Sequence, residues 1–470
     1  MKIDTNVPEL KIELEDLAKL FGNNENIEVQ HSQESNSSIV QNSFKVINTL
    51  TGEEKFYSYS YNLDENLSDL EKKSLIKKML KNHLYLTLNK ELKITLPWGA
   101  LTGIRPTKLI RDMIDKGEVK PYLASETLQK FFYVSTQKAN LVANILKNQK
   151  CIIRNDNLID LYVNIPICPS RCLYCSFISH QINSLGQEKI EEYLNCLEKE
   201  INAVKEIISK KAYIVRTIYV GGGTPSVLNE GQLEKLLKLL NFPVDEFTVE
   251  CGRADTLNNE KLEILKKYGV TRLSINPQTF CQATLKRVGR NVSNEQIFNA
   301  YSLALEKGFV VNMDIIAGLP KEKFGTFKKT ISTLLELYPH NITIHTLSVK
   351  RGADLKWQTD ILDDKDIEKM IDFGQKTLME NGYKPYYLYR QKNQLKGLEN
   401  VGYFRDEYVC KFNIDSMEET NTIIGVGAGS MSKRVFNIEN HIERQHNDKF
   451  INDYCNKIDK IIEDKRKFFI

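Results

Sequence analysis

The chain has 470 residues, of which 41% are hydrophobic and 27% are charged. This length suffices for two or three domains, and the composition is that of an ordinary globular protein. Its 65 basic and 61 acidic residues leave a net charge of +4, which is too balanced to indicate a nucleic-acid-binding protein. No apolar run reaches the roughly 18 residues of a membrane span. Nine cysteines with no apolar signal segment near residue 1 predict reduced thiols in the cytoplasm.

The first 155 residues are predicted to form a separate α+β domain. Residues 30–42 are rich in Ser, Asn and Gln and are expected to form a loop. Residues 44–61 alternate in the manner of two strands around a central Thr-Gly turn, which predicts a hairpin. Ser68 and Glu71 have the spacing of a capping box, so a helix is expected from there to about Leu84.

A stretch rich in Gly and Pro, Leu96 to Lys108, follows that helix. Three basic residues, Arg105, Lys108 and Arg111, lie within it or just beyond it. They are explained either by the start of a basic surface helix or by an anion-binding edge that faces a polycarboxylate substrate. The sequence leaves both interpretations open.

From residue 158 onward, strands alternate regularly with helices. The predicted strands are Leu158–Ile165, Thr217–Val220, Phe247–Glu250, Arg272–Ile275, Val310–Ile316 and Ile342–Leu347. The predicted helices are Gln187–Ser209, Glu230–Leu240, Asn258–Tyr268, Asn294–Lys307 and Thr326–Leu337. This alternation indicates a parallel sheet covered by helices. Six strands are too few for a closed eight-stranded barrel, so we expect a partial (β/α)6 barrel over residues 156–350.

The remaining residues, 351–470, are expected to form a C-terminal extension packed on the barrel. It should contain a helix at Asp364–Asn381 and a short aromatic strand at Pro385–Tyr389. Trp357 and the tyrosines of that strand are expected in packing. Gly425–Ser430 reads G-x-G-x-G but has no convincing acidic partner about 20 residues later, so it predicts a turn rather than a dinucleotide site.

Three cysteines follow the first barrel strand at a spacing of C-x3-C-x2-C: Cys168, Cys172 and Cys175. In a reducing compartment such a triplet indicates a metal site rather than disulfides. Three thiolates can hold three irons of a 4Fe–4S cluster, which leaves the fourth iron open as in a catalytic site. A zinc site with His180 as its fourth ligand is the alternative.

Polar residues and glycines follow the later strands, at the ends where barrels of this kind carry their chemistry. Gly221–Gly223 would let the backbone approach a ligand closely. A carboxylate at Glu250 suits hydroxyl donors, and a guanidinium at Arg290 suits a carboxylate. Asp314 lies among apolar neighbours and therefore needs a partner. His345, in the last strand, is expected to be a core histidine with a hydrogen bond.

The cysteine spacing, with Tyr174 before the last cysteine, resembles that of the radical S-adenosylmethionine (SAM) enzymes, in which SAM chelates the open iron. Residues 161–166, 220–225, 273–278, 285–290 and 314–320 are similar to motifs of the oxygen-independent coproporphyrinogen III dehydrogenases. Residues 96–108 and 389–403 resemble the HemZ-type branch of that family.

This resemblance implies a 4Fe–4S cluster on the three cysteines and places Tyr174 near the cluster. It implies that SAM is bound by Tyr162, Tyr174, Gly222, Gly223, Thr224, Glu250, Gln278, Arg290 and Asp314. It also implies oxidative decarboxylation of coproporphyrinogen III propionates, with an electron donor such as flavodoxin or ferredoxin. A porphyrinogen is then the substrate, and protoporphyrinogen IX is the product.

One position departs from the dehydrogenases, because Phe177 stands where they carry a fourth cysteine. The Cys-x-Phe form also occurs in a sister branch of haem chaperones. A haem-binding chaperone is therefore the alternative function. A radical SAM enzyme that modifies tRNA ranks third, because the balanced charge counts against it.

Overall fold

The computed structural model describes residues 1–22, 24–36, 38–102, 105–177, 180–348, 353, 366–391, 395–437 and 441–470. The chain forms two compact units. The first comprises Met1–Asn144 with short returns of the chain at 390–391 and 396–398, and the second comprises the remainder. The division into 1–155, 156–350 and 351–470 stays a prediction. No helix among the described residues is long and apolar enough to cross a membrane.

The first unit is a four-stranded sheet with helices. The strands are β1 Lys2–Thr5, β2 Ile27–Ser35, β3 Ile39–Asn48 and β4 Glu54–Asn62. The helices are α1 Lys11–Lys19, α2 Asp69–Leu92, α3 Pro106–Asp115, α4 Ala124–Phe132 and α5 Thr136–Asn148. Helix α5 continues past Asn144, so its last residues belong to the second unit. The strands pair in sequence order, with β1 parallel to β2 and the others antiparallel. One face of the sheet packs against α1 and α2 in a core that includes Leu17, Phe44 and Leu84.

Two expectations for this unit were wrong. Residues 30–42 lie mostly in β2 and β3 rather than in a loop, because polar residues fill the exposed face while His31 and Asn42 are buried. Asn42 bonds to both His31 and His83, which explains a buried amide there. Helix α2 continues about two turns beyond Leu84 because Leu88 extends its buried stripe. The hairpin β3–β4 is confirmed.

The second unit contains thirteen of the strands that the structure describes. They are β5 Leu158–Ile165, β6 Ile167–Cys168, β7 His180–Gln181, β8 Ile214–Gly222, β9 Glu246–Glu250, β10 Arg272–Ser274, β11 Val310–Ala317, β12 Asn341–Thr346, β13 Lys384–Tyr389, β14 Asn400–Phe404, β15 Thr422–Val426, β16 Met431–Phe436 and β17 His441–His446. The helices are α6 Ile182–Leu185, α7 Gln187–Lys211, α8 Glu230–Leu239, α9 Asn259–Lys267, α10 Gln282–Arg287, α11 Asn294–Glu306, α12 Phe324–Leu337, α13 Ile367–Glu380, α14 Lys411–Glu418, α15 Ile451–Asn456 and α16 Ile458–Phe469.

Eleven of these strands form one sheet in the order β13-β14-β12-β11-β10-β9-β8-β5-β15-β16-β17. The six predicted barrel strands, β5 and β8 to β12, are adjacent and parallel, as expected. Their apolar residues are buried because helices follow the strands and cover the sheet. Asn229 and Ser293 close capping boxes at the starts of α8 and α11, which fixes where these helices begin.

The C-terminal residues add strands to both edges of this sheet. β14 pairs antiparallel with β12. β15, which the sequence did not predict, pairs parallel with β5. The Gly-rich stretch 425–430 joins β15 to β16 without a following helix, in agreement with a turn. Tyr386 and Tyr387 are buried as expected. Trp357 and the first two residues of the predicted helix at 364–381 lie outside the described residues.

A buried ionic network ties the C-terminal helices to the barrel. Glu200 on α7 accepts hydrogen bonds from the Gly427 amide and the Tyr454 hydroxyl, both at 2.7 Å. Lys465 on α16 lies 3.4 Å from Glu200 and donates to the Gly425 carbonyl at 2.7 Å. Both charged side chains are almost fully buried. A buried pair of this kind depends on both partners, because either charge alone has no water to solvate it.

Replacing Lys465 by Met should therefore destabilise the protein by about 3 kcal/mol, since Glu200 keeps its charge without its cation. The measurement is urea-induced unfolding. Arg466→Ala is the matched control because the adjacent Arg466 pairs with Glu206 on the surface, where a salt bridge contributes less than about 1 kcal/mol. Equal losses in the two variants would contradict the importance of the buried pair.

Candidate active site

The predicted site residues lie at the carboxyl ends of the parallel strands. In the strand pairing, Ile165 at the end of β5 is beside Gly222 at the end of β8. Glu250 at the end of β9 is beside Ser274, with which β10 ends. Asp314 lies in β11. Gln278 follows β10, and its backbone amide donates to the backbone carbonyl of Asp314 at 2.9 Å. Five adjacent strands, β5 and β8 to β11, thus point their carboxyl ends to one edge of the sheet, toward which Glu250, Gln278 and Asp314 lie.

The cysteine loop begins on this edge. Cys168 ends β6, and the Thr224 hydroxyl donates to its sulfur at 3.6 Å. The Cys175 amide donates to the Cys172 carbonyl at 2.9 Å, which closes a turn between these two residues. Burial raises the pKa of the Cys175 thiol to about 11, with smaller contributions from Cys168 and Cys172. The three cysteines are therefore electrostatic neighbours in one loop.

The arrangement of the three cysteines bears on the zinc alternative. Over the part of the chain that the structure describes, no three His, Cys, Asp or Glu side chains are grouped as one ion would require. His180 belongs to the residues covered by this finding, so the zinc alternative gains no support. Three thiolates of a 4Fe–4S cluster bind three different irons and need not converge on one point.

The glycines after β8 are needed for close packing. Gly222 has φ +102°, and a side chain there would overlap the Asn164 amide. A Cβ on Gly223 would come within 2.5 to 2.9 Å of backbone atoms of Ile165 and Ile167. The amides of Gly223 and Thr224 donate to these same residues at 2.9 and 2.8 Å. This turn therefore lies directly against the start of the cysteine loop.

Two carboxylates lie beside this turn. Glu250 accepts hydrogen bonds from the Tyr219 hydroxyl at 2.7 Å and from the Gly222 amide at 3.2 Å. Burial raises its pKa to about 7, and the negative charge of Asp314 adds to the rise. Burial acts in the same direction on Asp314, but hydrogen bonding and attraction from His345 lower the net pKa of its carboxyl. One carboxylate is thus poised to titrate near neutrality while its neighbour stays ionised.

His345 connects the carboxylates to the C-terminal residues. Its Nε2 lies 3.5 Å from Asp314, and its Nδ1 lies 3.4 Å from the Tyr389 hydroxyl. The expected hydrogen-bonded histidine is present. The His345 side chain is 26% exposed, so it lies at the border of the site rather than within the core. The sequence did not predict the contact between Tyr389 and His345, because the two residues lie on different strands, β13 and β12.

Aromatic rings cover the same region. Tyr162 stacks on Tyr219 with ring centroids 6.2 Å apart, and Tyr219 stacks on Phe412 at 4.5 Å. Tyr162 donates to the Asn164 side chain at 3.1 Å. Tyr174, in the cysteine loop, is half-buried against Leu319 and its neighbours. Tyr219 was missed, although it is the register partner of Tyr162, and aligning the two strands would have found it.

Gln278 and Arg290 carry polar atoms without a partner in the described residues. Gln278 has φ +66°, and its buried Oε1 accepts no hydrogen bond. The Arg290 guanidinium is 5% exposed and donates to the carbonyls of Gly252 and Asn276, while its Nε is unpartnered. Arg290 therefore holds the loops after β9 and β10 together. The unpartnered atoms remain available to a polar ligand.

Arg253 is a further residue that the sequence did not indicate. It is 4% exposed and donates to the Ser170 hydroxyl at 2.8 Å. Its other nitrogens donate to both carboxylate oxygens of Asp255 at 2.9 and 2.8 Å. Ser170 lies between the first two cysteines. Arg253 thus fixes the cysteine loop to the loop that follows Glu250 and β9.

A model of the radical SAM superfamily matches residues 162–334 of the chain. The oxygen-independent coproporphyrinogen-III oxidase-like protein HemZ of Bacillus subtilis is 35% identical over 418 residues, which is 85% of this chain and 83% of that protein. The chain therefore belongs to the radical SAM superfamily and, within it, to the family of HemZ. The heme chaperone HemW of B. subtilis is 36% identical over 196 residues, covering 40% of this chain and 50% of HemW.

A solved structure of the Escherichia coli coproporphyrinogen III oxidase HemN supports the fold. It superposes with a TM-score of 0.53 at 24% identity and covers 69% of this chain and 73% of HemN. The predicted partial radical SAM barrel is confirmed. Members of this family bind a 4Fe–4S cluster and SAM. The residues present fit these groups: three thiols lie in one loop against tightly packed glycines, and the buried Oε1 of Gln278 has no partner among the described residues.

Replacing Glu250 by Gln should stabilise the protein more at pH 8 than at pH 5. The ordinary pKa of this carboxyl is 4.5, and in the folded protein it is about 7. Between these values the folded state keeps a proton that the unfolded state has lost, so stability falls as the pH rises. The native carboxyl costs about 3 kcal/mol at pH 8, and glutamine removes that cost.

Unfolding in urea at both pH values measures this effect. Glu260→Gln is the control, because Glu260 is exposed on α9 and should change stability little at either pH. A gain for Glu250→Gln that does not depend on pH would show that the carboxyl has an ordinary pKa.

Proposed function

We propose that this chain is a radical SAM oxidoreductase that decarboxylates propionate groups of coproporphyrinogen III without oxygen. The main support is the likeness to HemZ over 85% of the chain, combined with the contact between the cysteine loop and the glycine turn that binds Glu250. Each propionate would lose one hydrogen atom and carbon dioxide and would pass one further electron to a one-electron acceptor, which leaves a vinyl group. Two such reactions convert coproporphyrinogen III into protoporphyrinogen IX.

The cluster ligands in this proposal are Cys168, Cys172 and Cys175. These thiolates would hold a 4Fe–4S cluster, which together with SAM would supply the radical chemistry that removes a hydrogen atom from the substrate. Arg253 would keep the cysteine loop in place through Ser170. The cluster needs an electron donor, for which flavodoxin or ferredoxin is our proposal.

The SAM contacts are proposed from the same edge of the sheet. Glu250 would accept hydrogen bonds from ribose hydroxyls, and Asp314, held ionised beside His345, would offer a second acceptor. Gln278 would use its unpartnered Oε1 for a donor on SAM. The full proposed set is Tyr162, Tyr174, Gly222, Gly223, Thr224, Glu250, Gln278, Arg290 and Asp314.

A second candidate function is that of a haem-binding chaperone. Phe177 occupies the position of the fourth cysteine, and its side chain is 64% exposed just beyond Cys175. An exposed aromatic ring at this place offers an apolar surface to a tetrapyrrole. The likeness to HemW over 196 residues is compatible with this alternative. The longer HemZ match favours the oxidoreductase.

Replacing Cys172 by Ser should abolish both cluster assembly and reductive SAM cleavage, because two thiolates hold a 4Fe–4S cluster poorly. Iron content after anaerobic reconstitution and the formation of 5′-deoxyadenosine measure the two effects. Cys281→Ser, outside the motif and half-buried, should retain both. Normal iron content in Cys172→Ser would show that the cluster is held elsewhere.

Anaerobic incubation of the reconstituted protein with SAM, a reductant and coproporphyrinogen III should yield protoporphyrinogen IX. Two 5′-deoxyadenosine molecules should form for each product, because each propionate loses one hydrogen atom. The products are quantified by chromatography and mass spectrometry. Deoxyadenosine without a vinyl product would refute the oxidoreductase, and tight stoichiometric haem binding in the same preparation would favour the chaperone.

A further inference from the structure

The Gly- and Pro-rich stretch Leu96–Lys108 belongs to the first unit. In the first unit, Trp98 is buried, and the guanidinium of Arg390 lies over its ring at 5.1 Å. Arg390 donates to the Leu101 carbonyl at 2.7 Å and to the Gly397 carbonyl at 2.9 Å. The first unit therefore holds a buried guanidinium against this stretch.

A second buried cation lies next to it. Lys81 on α2 is 6% exposed, and its ammonium donates to the Thr102 hydroxyl at 2.6 Å. Thr102 follows Leu101, so Lys81 and Arg390 approach adjacent residues. An ammonium has three protons to donate, and within the described ranges Thr102 is the one acceptor that Lys81 has. Thr102 itself is only half-buried, which leaves a route from solvent.

The nearby carboxylates are engaged with other lysines. Glu13 pairs with Lys77, and Asp16 lies 3.3 Å from Lys19. Among the residues with described positions, no carboxylate lies within 4.0 Å of the Lys81 ammonium. Burial lowers the pKa of Lys81 to about 8, and repulsion from Lys77 and Arg390 adds to this, against a weaker attraction from Glu13 and Asp16.

A buried ammonium without a counter-ion is costly, and a second cation beside it increases that cost. Asp112 does not relieve it, because that carboxylate pairs with Lys108 at 3.0 Å. The anion-binding edge that the sequence suggests at Arg105, Lys108 and Arg111 stays a prediction. The local shortage of negative charge lies at Lys81 and Thr102.

We propose that Lys81 and Thr102 bind an oxyanion, a carboxylate or a phosphate group, with the Arg390 guanidinium beside it. The bound group would complete the hydrogen bonds of the ammonium and supply the missing negative charge. This site lies wholly in the first unit. It goes beyond the proposed radical chemistry and does not depend on it.

Isothermal titration calorimetry of the full chain tests this site, with inorganic phosphate and, separately, glutarate as probes. At least one probe should bind the wild-type protein with a Kd of about 1 mM or tighter. Lys81→Met should weaken that binding roughly tenfold or more, through the loss of a charge-assisted hydrogen bond. Lys81→Arg should retain most of it, and Thr102→Val should weaken it several-fold. The stronger probe identifies the class of oxyanion.

Lys73→Met is the matched control, because Lys73 is exposed on the same helix and should leave the affinity unchanged. Thermal unfolding without added anion gives a second readout. Lys81→Met should be at least as stable as the wild type, because it removes an uncompensated buried charge. The probe that binds should raise the unfolding temperature of the wild type and of Lys73→Met, but not that of Lys81→Met. The absence of saturable binding to the wild type, or equal binding by Lys81→Met, would overturn the proposal.

Discussion

The close contact between the turn after β8 and the end of β5 organises the candidate site. Gly223 and Thr224 donate backbone hydrogen bonds to Ile165 and Ile167, and the Thr224 hydroxyl reaches Cys168. The preceding amide, at Gly222, donates to a carboxylate oxygen of Glu250. Side chains on these glycines would separate the strands. A single packing constraint therefore sets both the start of the cysteine loop and the position of the nearest carboxylate.

Much of this fold was predictable from the sequence, because parallel strands buried on both faces have a strong pattern. The bounds of β5 were predicted correctly, and so was the order of the strands and helices that follow it. The polar strands β2 and β3 were not predictable, since a sheet with one exposed face contains many residues typical of loops. β15 was missed because only its pairing with β5, more than 250 residues earlier, reveals it.

The candidate site divides in the same way. The cysteine ligands and the glycine turn could be predicted from the sequence, since few other residues can replace them. Tyr389 and Arg253 could not be found, because each acts through contacts between distant segments. The same holds for Lys81, whose isolation from carboxylates depends on the ion pairs formed by Glu13 and Asp16. Local sequence patterns thus predict the residues that bind a cofactor better than the residues that hold those binding residues in place.

The parallel pairing of β15 with β5 has a consequence for folding. The strand that leads into the cysteine loop has β8 on one side, and its other edge is covered by residues Thr422–Val426. During synthesis that edge waits for most of the chain to leave the ribosome, with its amide and carbonyl groups unpaired. Completion of the strand under the cysteine loop is therefore a late event, delayed by the loop-closure entropy of a long connection. The C-terminal residues accordingly act as the last step in assembling the sheet.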